Sequence, residues 1–528
     1  MVQNLTRREF IKTAALGFLV ANTIGFLPDN KVFAADNCTV KTRYGTFNGF
    51  VDKNGVKNWL GIPFAQPPVG KLRWQAPQPL KPSNKTFDAK KFGYSPIQVA
   101  IKIDEPLVDD DPTPQSEDCL TLNIWTRGEG KNKPVMVFIY GGAFVSGYSS
   151  EDLYSGPNFV MADDVVLVLF NYRLSVFGFM NMASIDPAYE DSGYLGMKDQ
   201  VAALKWVKEN IVAFGGDPNN ITVFGESAGS ISTMLLTVTP AAKNLFQKVI
   251  PQSGHVGFYN EPEITAQVAE TFMEFSGAKT VKDLMKKSGV ELKNLYEQLI
   301  NSHRGSNIAE FLPTCDGKFL PKDPFKALKS GGARGIKFLT GTTADEWRAF
   351  LIGDENFFNV FRNEPNKISP VLRRYTAQTP EEIYKKWLNG RPDIEDNFAD
   401  FVTQLDWRVG QELSSEYQSK FGDVYFYLFT EQAPPPIEYL RSFHAFDLPY
   451  TFNVSSEEFT PNQNLVKAIQ ASWAAFATTG NPDNEFIPHW EKYSANNRRT
   501  MELNSKGCVS HKDFNTQNLN ALRYVYEN

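Results

Sequence analysis

Histidine and cysteine are scarce in this chain, and strongly basic stretches are missing. Among 528 residues there are five histidines and four cysteines. Cys38, Cys119, Cys315 and Cys508 allow three complete pairings, and their spacing selects none of them. With no basic cluster and a formal charge of −6, the chain lacks the electrostatic footprint of a nucleic-acid partner. No metal or nucleotide cofactor is implied: the acidic run Asp109-Asp110-Asp111 has no ligand spacing around it and reads as a solvated loop. Internal repeats and low-complexity blocks are absent as well. The sequence is 42% hydrophobic, 13% aromatic and 22% charged, a composition that can bury a large core.

The most apolar stretch near the start, Thr13 to Leu27, is short and interrupted by Asn22, Thr23 and Gly25, which disfavours a membrane anchor. It follows Thr6-Arg7-Arg8-Glu9-Phe10-Ile11-Lys12, so the first 34 residues resemble a twin-arginine export signal, with cleavage expected after Ala34 at the small-residue site Val32-Phe33-Ala34. The expectation is a bacterial periplasmic or secreted protein whose mature chain, 35–528, has no stable membrane anchor. Cargo of that route folds in a reducing compartment, so free thiols are expected. Asp36-Asn37 before Cys38 does not suit a lipoprotein site.

Strand-like and helix-like segments alternate through the first half of the mature chain, which predicts an α/β fold with a mostly parallel central sheet and helices on both faces. Val135 to Tyr140 and Val165 to Phe170 read as fully buried strands, and further strands are expected at Lys248 to Pro251, Ile336 to Gly341 and Val424 to Phe429. Between Lys198 and Ile211, apolar residues at Val201, Leu204, Val207 and Ile211 mark one helical face. Helical, irregular stretches near 261–335 and 351–420 read as insertions into a single domain.

The pentapeptide Gly225-Glu226-Ser227-Ala228-Gly229 follows a short buried strand, Ile221-Thr222-Val223-Phe224, which is entered from the turn Gly215 to Asn220. It precedes a helix-compatible run, Ser230 to Leu236. That context is a nucleophile elbow: the serine sits in a strained strand-to-helix turn, and its neighbours two residues away must be nearly free of side chain. The implied fold is the α/β-hydrolase, with the helix dipole facing the serine.

A serine hydroxyl needs a base, normally a histidine held by a carboxylate. In this fold the order along the chain is serine, acid, histidine, which demotes His255. His303 lies in an expected insertion, His489 follows Pro488, and His511 sits in a polar C-terminal stretch. His444, in Phe443-His444-Ala445-Phe446-Asp447, is left as the base. The acid belongs at the end of the strand Ile336 to Gly341, where Asp345 and Glu346 are adjacent and spacing does not separate them. Gly141-Gly142-Ala143-Phe144, after the strand ending at Tyr140, can present backbone N–H groups to an oxyanion, with the N–H of Ala228 as another donor.

The segments Gly61 to Trp74, Ser116 to Asn123, Gly141 to Phe144, Asn171 to Arg173, Phe214 to Gly229, the region of His444 and Trp473 to Pro482 resemble the type-B carboxylesterase family, over roughly residues 38 to 495. This resemblance implies a serine hydrolase that cleaves small-molecule carboxylic esters through an acyl-enzyme, without a cofactor. Other readings are a catalytically silent adhesion or binding protein, or a lipase, amidase or carbamate hydrolase on the same fold. The resemblance implies Ser227, Glu346 and His444 as the triad, Gly142, Ala143 and Ala228 as the oxyanion hole, and Glu226, Ser253 and Gly141 as neighbours of the site. It assigns no oligomeric state. Two departures stand out. Tyr94 to Gln98 occupies the place of the cysteine that family members bridge to the one matching Cys119, and no tryptophan lies between Trp74 and Trp125, so choline esters are disfavoured as substrates.

Overall fold

Parallel strands covered on both faces tend to be apolar along their length, and Val166–Phe170 and Val424–Phe429 are apolar throughout. The computed structural model describes residues 38–99, 114–302, 311–351, 379–456, 459–514 and 518–527. The expected leader with its cleavage position, the acidic run at 109–111 and His303 lie outside the described residues.

In chain order the strands are β1 (Thr39–Thr42), β2 (Gly45–Asn48), β3 (Phe50–Val51), β4 (Val56–Pro63), β5 (Thr86–Asp88), β6 (Thr121–Arg127) and β7 (Lys133–Ile139). They continue with β8 (Val166–Phe170), β9 (Gly216–Glu226), β10 (Lys248–Gln252), β11 (Lys337–Thr343), β12 (Val424–Phe429), β13 (Arg499–Leu503) and β14 (Val509–Lys512). An eleven-stranded sheet has the order β14-β13-β12-β11-β10-β9-β7-β8-β6-β4-β3, and β1, β2 and β5 form a smaller one. From β8 across to β13 all neighbours are parallel. The remaining pairs, β6 with β8, β4 with β6, β3 with β4 and β14 with β13, are antiparallel. Every residue of β8, β10 and β12 is buried.

From β7 the chain crosses to β8 on one side and returns as β9 on the other. The C-terminal ends of β7 and β9 therefore flank the point where strand order reverses, the usual location of a site in such sheets. The return passes through the helix Leu195–Asn210, with Val201, Leu204 and Val207 buried. The expected turn before a four-residue strand is instead part of the eleven-residue β9. Lys133 pairs with Gly216 and Val135 already with Ile221, so Asp217 to Asn220 bulge out between two paired positions.

The helices Pro262–Ser276, Val281–Met285, Gly289–Ser302 and Pro324–Lys329 occupy 261–335, and Pro380–Leu388, Glu395–Val402 and Val409–Gln418 occupy the described part of 351–420. Val409–Gln418 packs into the body of the fold: nearly all its residues are buried, and Gln411 Nε2 donates to Thr340 Oγ1 on β11. None of the four cysteines is in a disulfide. Among the described residues no helix is long and apolar enough to cross a membrane.

Just after β8, the Arg173 guanidinium donates to both oxygens of Asp199 at 2.8 and 2.7 Å, and its backbone N–H donates to Oδ2 at 3.1 Å. Both side chains are buried, so losing one partner strands the other charge. Arg173→Met is expected to lower stability by about 3–5 kcal/mol in urea unfolding, and replacing Asp199 by Leu as well should restore most of the loss.

Candidate active site

Ser227 has φ 55° and ψ −122°, between the end of β9 and the helix Ala228–Thr237. A non-glycine residue in this region stores about 1–3 kcal/mol of strain and persists only where its surroundings impose it. The Ser227 N–H donates to Gln252 O at 3.0 Å, and its carbonyl accepts from Ile231 N–H at 2.9 Å. Close packing against β7 imposes the rest: a Cβ on Gly229 would fall 1.8 Å from Ile139 O, and one on Gly225 would fall 2.6 Å from the same oxygen. Only glycines let the helix start here, and they make Ser227 turn.

The loop after β7 lies alongside. A Cβ on Gly141 would stand 3.0 Å from Ser227 Cβ and 2.8 Å from Glu226 Oε2. Gly142, Ala143 and Phe144 have φ of 99°, 52° and 63°, a run of left-handed residues that folds the backbone on itself. Val145 and Ser146 N–H both close onto Gly142 O at 3.0 Å. The N–H groups of Gly142, Ala143 and Ala228 have no acceptor among the described residues, the arrangement an oxyanion site requires. Gln98, which sequence reading assigned no role, clamps this loop: its Oε1 accepts from Gly147 N–H at 2.7 Å and its Nε2 donates to Gly147 O at 3.1 Å.

His444 Nδ1 lies 2.5 Å from Glu346 Oε2. Glu346 Oε1 accepts from Ser253 Oγ at 2.6 Å and from Thr343 N–H at 2.8 Å. Ser253 points there because its φ is 56°, and its N–H is tied to Gly341 O on β11 at 2.9 Å. On the other side of the ring, His444 Nε2 is 3.1 Å from Glu226 Oε1, so this nitrogen faces the residue preceding Ser227. The structure thus brings Ser227, Glu226, Ser253, Glu346, His444 and the Gly141 loop together. His444, Glu226 and Glu346 are all buried.

Asp345 points elsewhere. Its N–H donates to Ser442 O at 2.9 Å, its carboxylate accepts from Ser442 N–H at 3.2 Å, and Arg348 and Arg441 lie 3.4 and 3.7 Å from it. It stitches the segment carrying His444 to the end of β11. His489 pairs with Asp483 at 2.8 Å and His511 with Glu502 at 2.9 Å, neither with Ser227. His255 is fully buried, with Nε2 2.7 Å from Asp406 O.

One acid at the site had no sequence signal. Asp447 is buried, and its Oδ2 accepts from Gln252 Nε2 at 2.8 Å and Tyr427 OH at 3.3 Å. Its Oδ1 has no hydrogen-bond partner among the described residues. Burial pushes its carboxyl up from the ordinary 3.8 to about 6, the charge of Glu346 adding to the rise while Gln252, His444 and Tyr427 oppose it.

A mostly parallel sheet with a serine elbow where its strand order reverses defines an α/β-hydrolase built for acyl transfer. The chain belongs to the Carboxylesterase family, whose sequence pattern matches residues 36–522. It is 37% identical over 480 residues to the para-nitrobenzyl esterase of Bacillus subtilis, covering 88% of this chain and 95% of that protein. It is 30% identical to the acetylcholinesterase of Danio rerio, covering 96% of this chain and 91% of that protein. A solved thermophilic PNB esterase superposes with a TM-score of 0.81 at 34% identity, over 92% of this chain and 99% of its own. The protein is a serine hydrolase of carboxylic esters.

Because the folded pKa of Asp447 lies above its unfolded value, its protonation favours the folded state at low pH, and that contribution is lost as pH rises through about 6. Asp447→Asn should therefore raise the urea midpoint relative to wild type at about pH 7.5 but far less at about pH 4, with the gap opening between them.

Proposed function

We propose that Ser227 is the nucleophile, His444 the general base and acid, and Glu346 the group that orients and charge-balances the imidazole. The observation that carries this reading is the 2.5 Å contact of Glu346 with His444 Nδ1, on a ring whose Nε2 faces the strained elbow. Glu346 is already held by Ser253 and Thr343, so it meets the ring in one orientation and favours the tautomer with a proton on Nδ1. Nε2 is then the basic nitrogen. It takes the Ser227 hydroxyl proton as Oγ bonds to the ester carbonyl carbon, and the carbonyl oxygen becomes an oxyanion facing the N–H groups of Gly142, Ala143 and Ala228. The tetrahedral adduct collapses, the imidazolium protonates the departing alkoxide, and an acyl-Ser227 remains. Water, deprotonated by His444, repeats the sequence and releases the acid.

Each well-aimed oxyanion donor contributes about 3 kcal/mol to lowering the barrier. Glu226 faces the Nε2 on which the proton arrives, so its negative charge supports the imidazolium that forms. Small carboxylic esters are the substrate class; the absence of tryptophan between Trp74 and Trp125 supports acyl esters of uncharged alcohols over choline esters. The Arg7-Arg8 leader supports export across a bacterial inner membrane and residence in the periplasm or medium.

An organophosphate trap should add one phosphoryl group to the peptide containing Ser227, and Ser227→Ala should lower kcat by roughly 10⁶ on a short-chain nitrophenyl ester. An unlabelled folded wild type, or a Ser227→Ala enzyme with undiminished turnover, would exclude this site. Matched nitroanilides should turn over far more slowly than the esters; the reverse order would make the enzyme an amidase. N-terminal sequencing of the exported protein is expected to begin at Ala35.

A further inference from the structure

A buried histidine with both ring nitrogens engaged by backbone groups acts as a strut. His255 accepts the Gly257 N–H at Nδ1 (3.0 Å) while its Nε2 meets the Asp406 carbonyl at 2.7 Å, so Nε2 carries the proton and the ring is neutral. Asp406 belongs to a π-turn, Thr403–Arg408, inserted between the helices Glu395–Val402 and Val409–Gln418 and closed by the Val409 N–H onto Gln404 O. Such turns add one residue to a helix and re-aim the side chains on it, frequently at functional sites. The neighbouring carbonyl, Leu405 O, accepts the Tyr526 hydroxyl at 2.5 Å, from the C-terminal helix Asn520–Glu527. Side chains from two distant parts of the chain thus hold adjacent carbonyls of one turn.

The side chain this turn aims is Trp407. Its ring centroid is 4.5 Å from that of His444, with the planes at 46°, and Phe350 adds a second contact to His444 at 5.2 Å. Phe258 fills the space behind, 5.0 Å from Trp407 and 4.5 Å from His255. The indole N–H of Trp407 has no acceptor among the described residues, so no hydrogen bond of its own fixes the ring; the backbone of the turn and the packing around it do. Glu346 at Nδ1 and Glu226 at Nε2 meet His444 along the edge of the ring, contacts that resist its tilting less than packing on its faces does. A ring pressed against its face removes the tilt.

We propose that Trp407 is a positioning residue for the general base, and that His255 and Tyr526, by holding the carbonyls of Asp406 and Leu405, set where Trp407 presses on His444. This rests on His444 being that base. Misplacing a reacting group by about 1 Å costs on the order of a hundredfold in rate, so a slight loosening should appear in kcat and leave KM nearly unchanged.

Four variants test this. His255→Leu keeps bulk and loses the donor, whereas His255→Gln restores an N–H near the former Nε2. Gly410→Ala places a methyl 2.3 Å from the His255 ring and must displace it. Tyr526→Phe removes only the hydroxyl. His255→Leu and Gly410→Ala should lower kcat about tenfold with KM within about twofold, Tyr526→Phe about threefold, and His255→Gln should recover most of the rate. Ser227 should still be phosphylated stoichiometrically in every variant, more slowly in those with reduced kcat. Wild-type kcat in folded Tyr526→Phe and His255→Leu, or a His255→Gln no faster than His255→Leu at equal urea stability, would overturn the proposal. Wild-type protein that resists phosphylation would instead overturn the assignment of Ser227 and His444 on which it rests.

Discussion

The left-handed backbone at Ser227 is the constraint on which the site depends. An L-residue does not hold φ 55° by preference, and here it is held because β9 and the following helix approach β7 too closely for any side chain at 225 or 229. The same approach places the Gly141 loop against Ser227, so one steric condition both lifts the serine out of the sheet and brings the backbone of that loop beside it. The strain is sustained by a sheet whose strands are buried where they approach Ser227 and whose order reverses at this point.

Near that serine the polar groups form a chain of contacts through Glu346 and His444. Glu346 spends one oxygen on Ser253 and Thr343 and the other on His444, and Glu226 faces the opposite ring nitrogen. Asp345, adjacent to the acid in sequence, ties the His444 segment to β11 through Ser442. Two neighbouring carboxylates therefore make different contacts, one with the imidazole and the other with the backbone that carries it. The member of the group whose ionisation burial opposes is Asp447, an acid beside a site that already holds two carboxylates.

The elbow, the end of the strand before it and the helix after it were legible in the sequence because their requirements are local: glycines at fixed offsets and a β-branched run. The glycine loop after β7 was legible for the same reason. Choosing between Asp345 and Glu346 was not, because the two differ only in which way the chain faces at the start of the 3₁₀ turn Glu346–Leu351, and their partners are Ser253, just after β10, and Ser442, in the loop before His444. The family resemblance pointed to Glu346 where spacing did not. The order of residues along the chain demotes His255 as a base, and the same argument gives no reason to expect a strut. A π-turn leaves no mark in periodicity, since a single added residue looks like ordinary helix, and Gln98 lies in a segment that drew notice only for a missing cysteine.

Gly410 and His255 show how such packing constrains the ways the sequence can change. The imidazole fills the space a Cβ at 410 would need, so a side chain at 410 displaces the ring while histidine stands at 255. A smaller residue at 255 would remove the obstruction, but it would also release Asp406 O from its donor. The two positions are coupled: a change at 410 pushes the imidazole off Asp406 O, and a smaller residue at 255 removes the donor itself, so either first step leaves the π-turn without its strut. Mutational paths through this part of the fold therefore pass through such a step, imposed on them by a clearance of about an ångström.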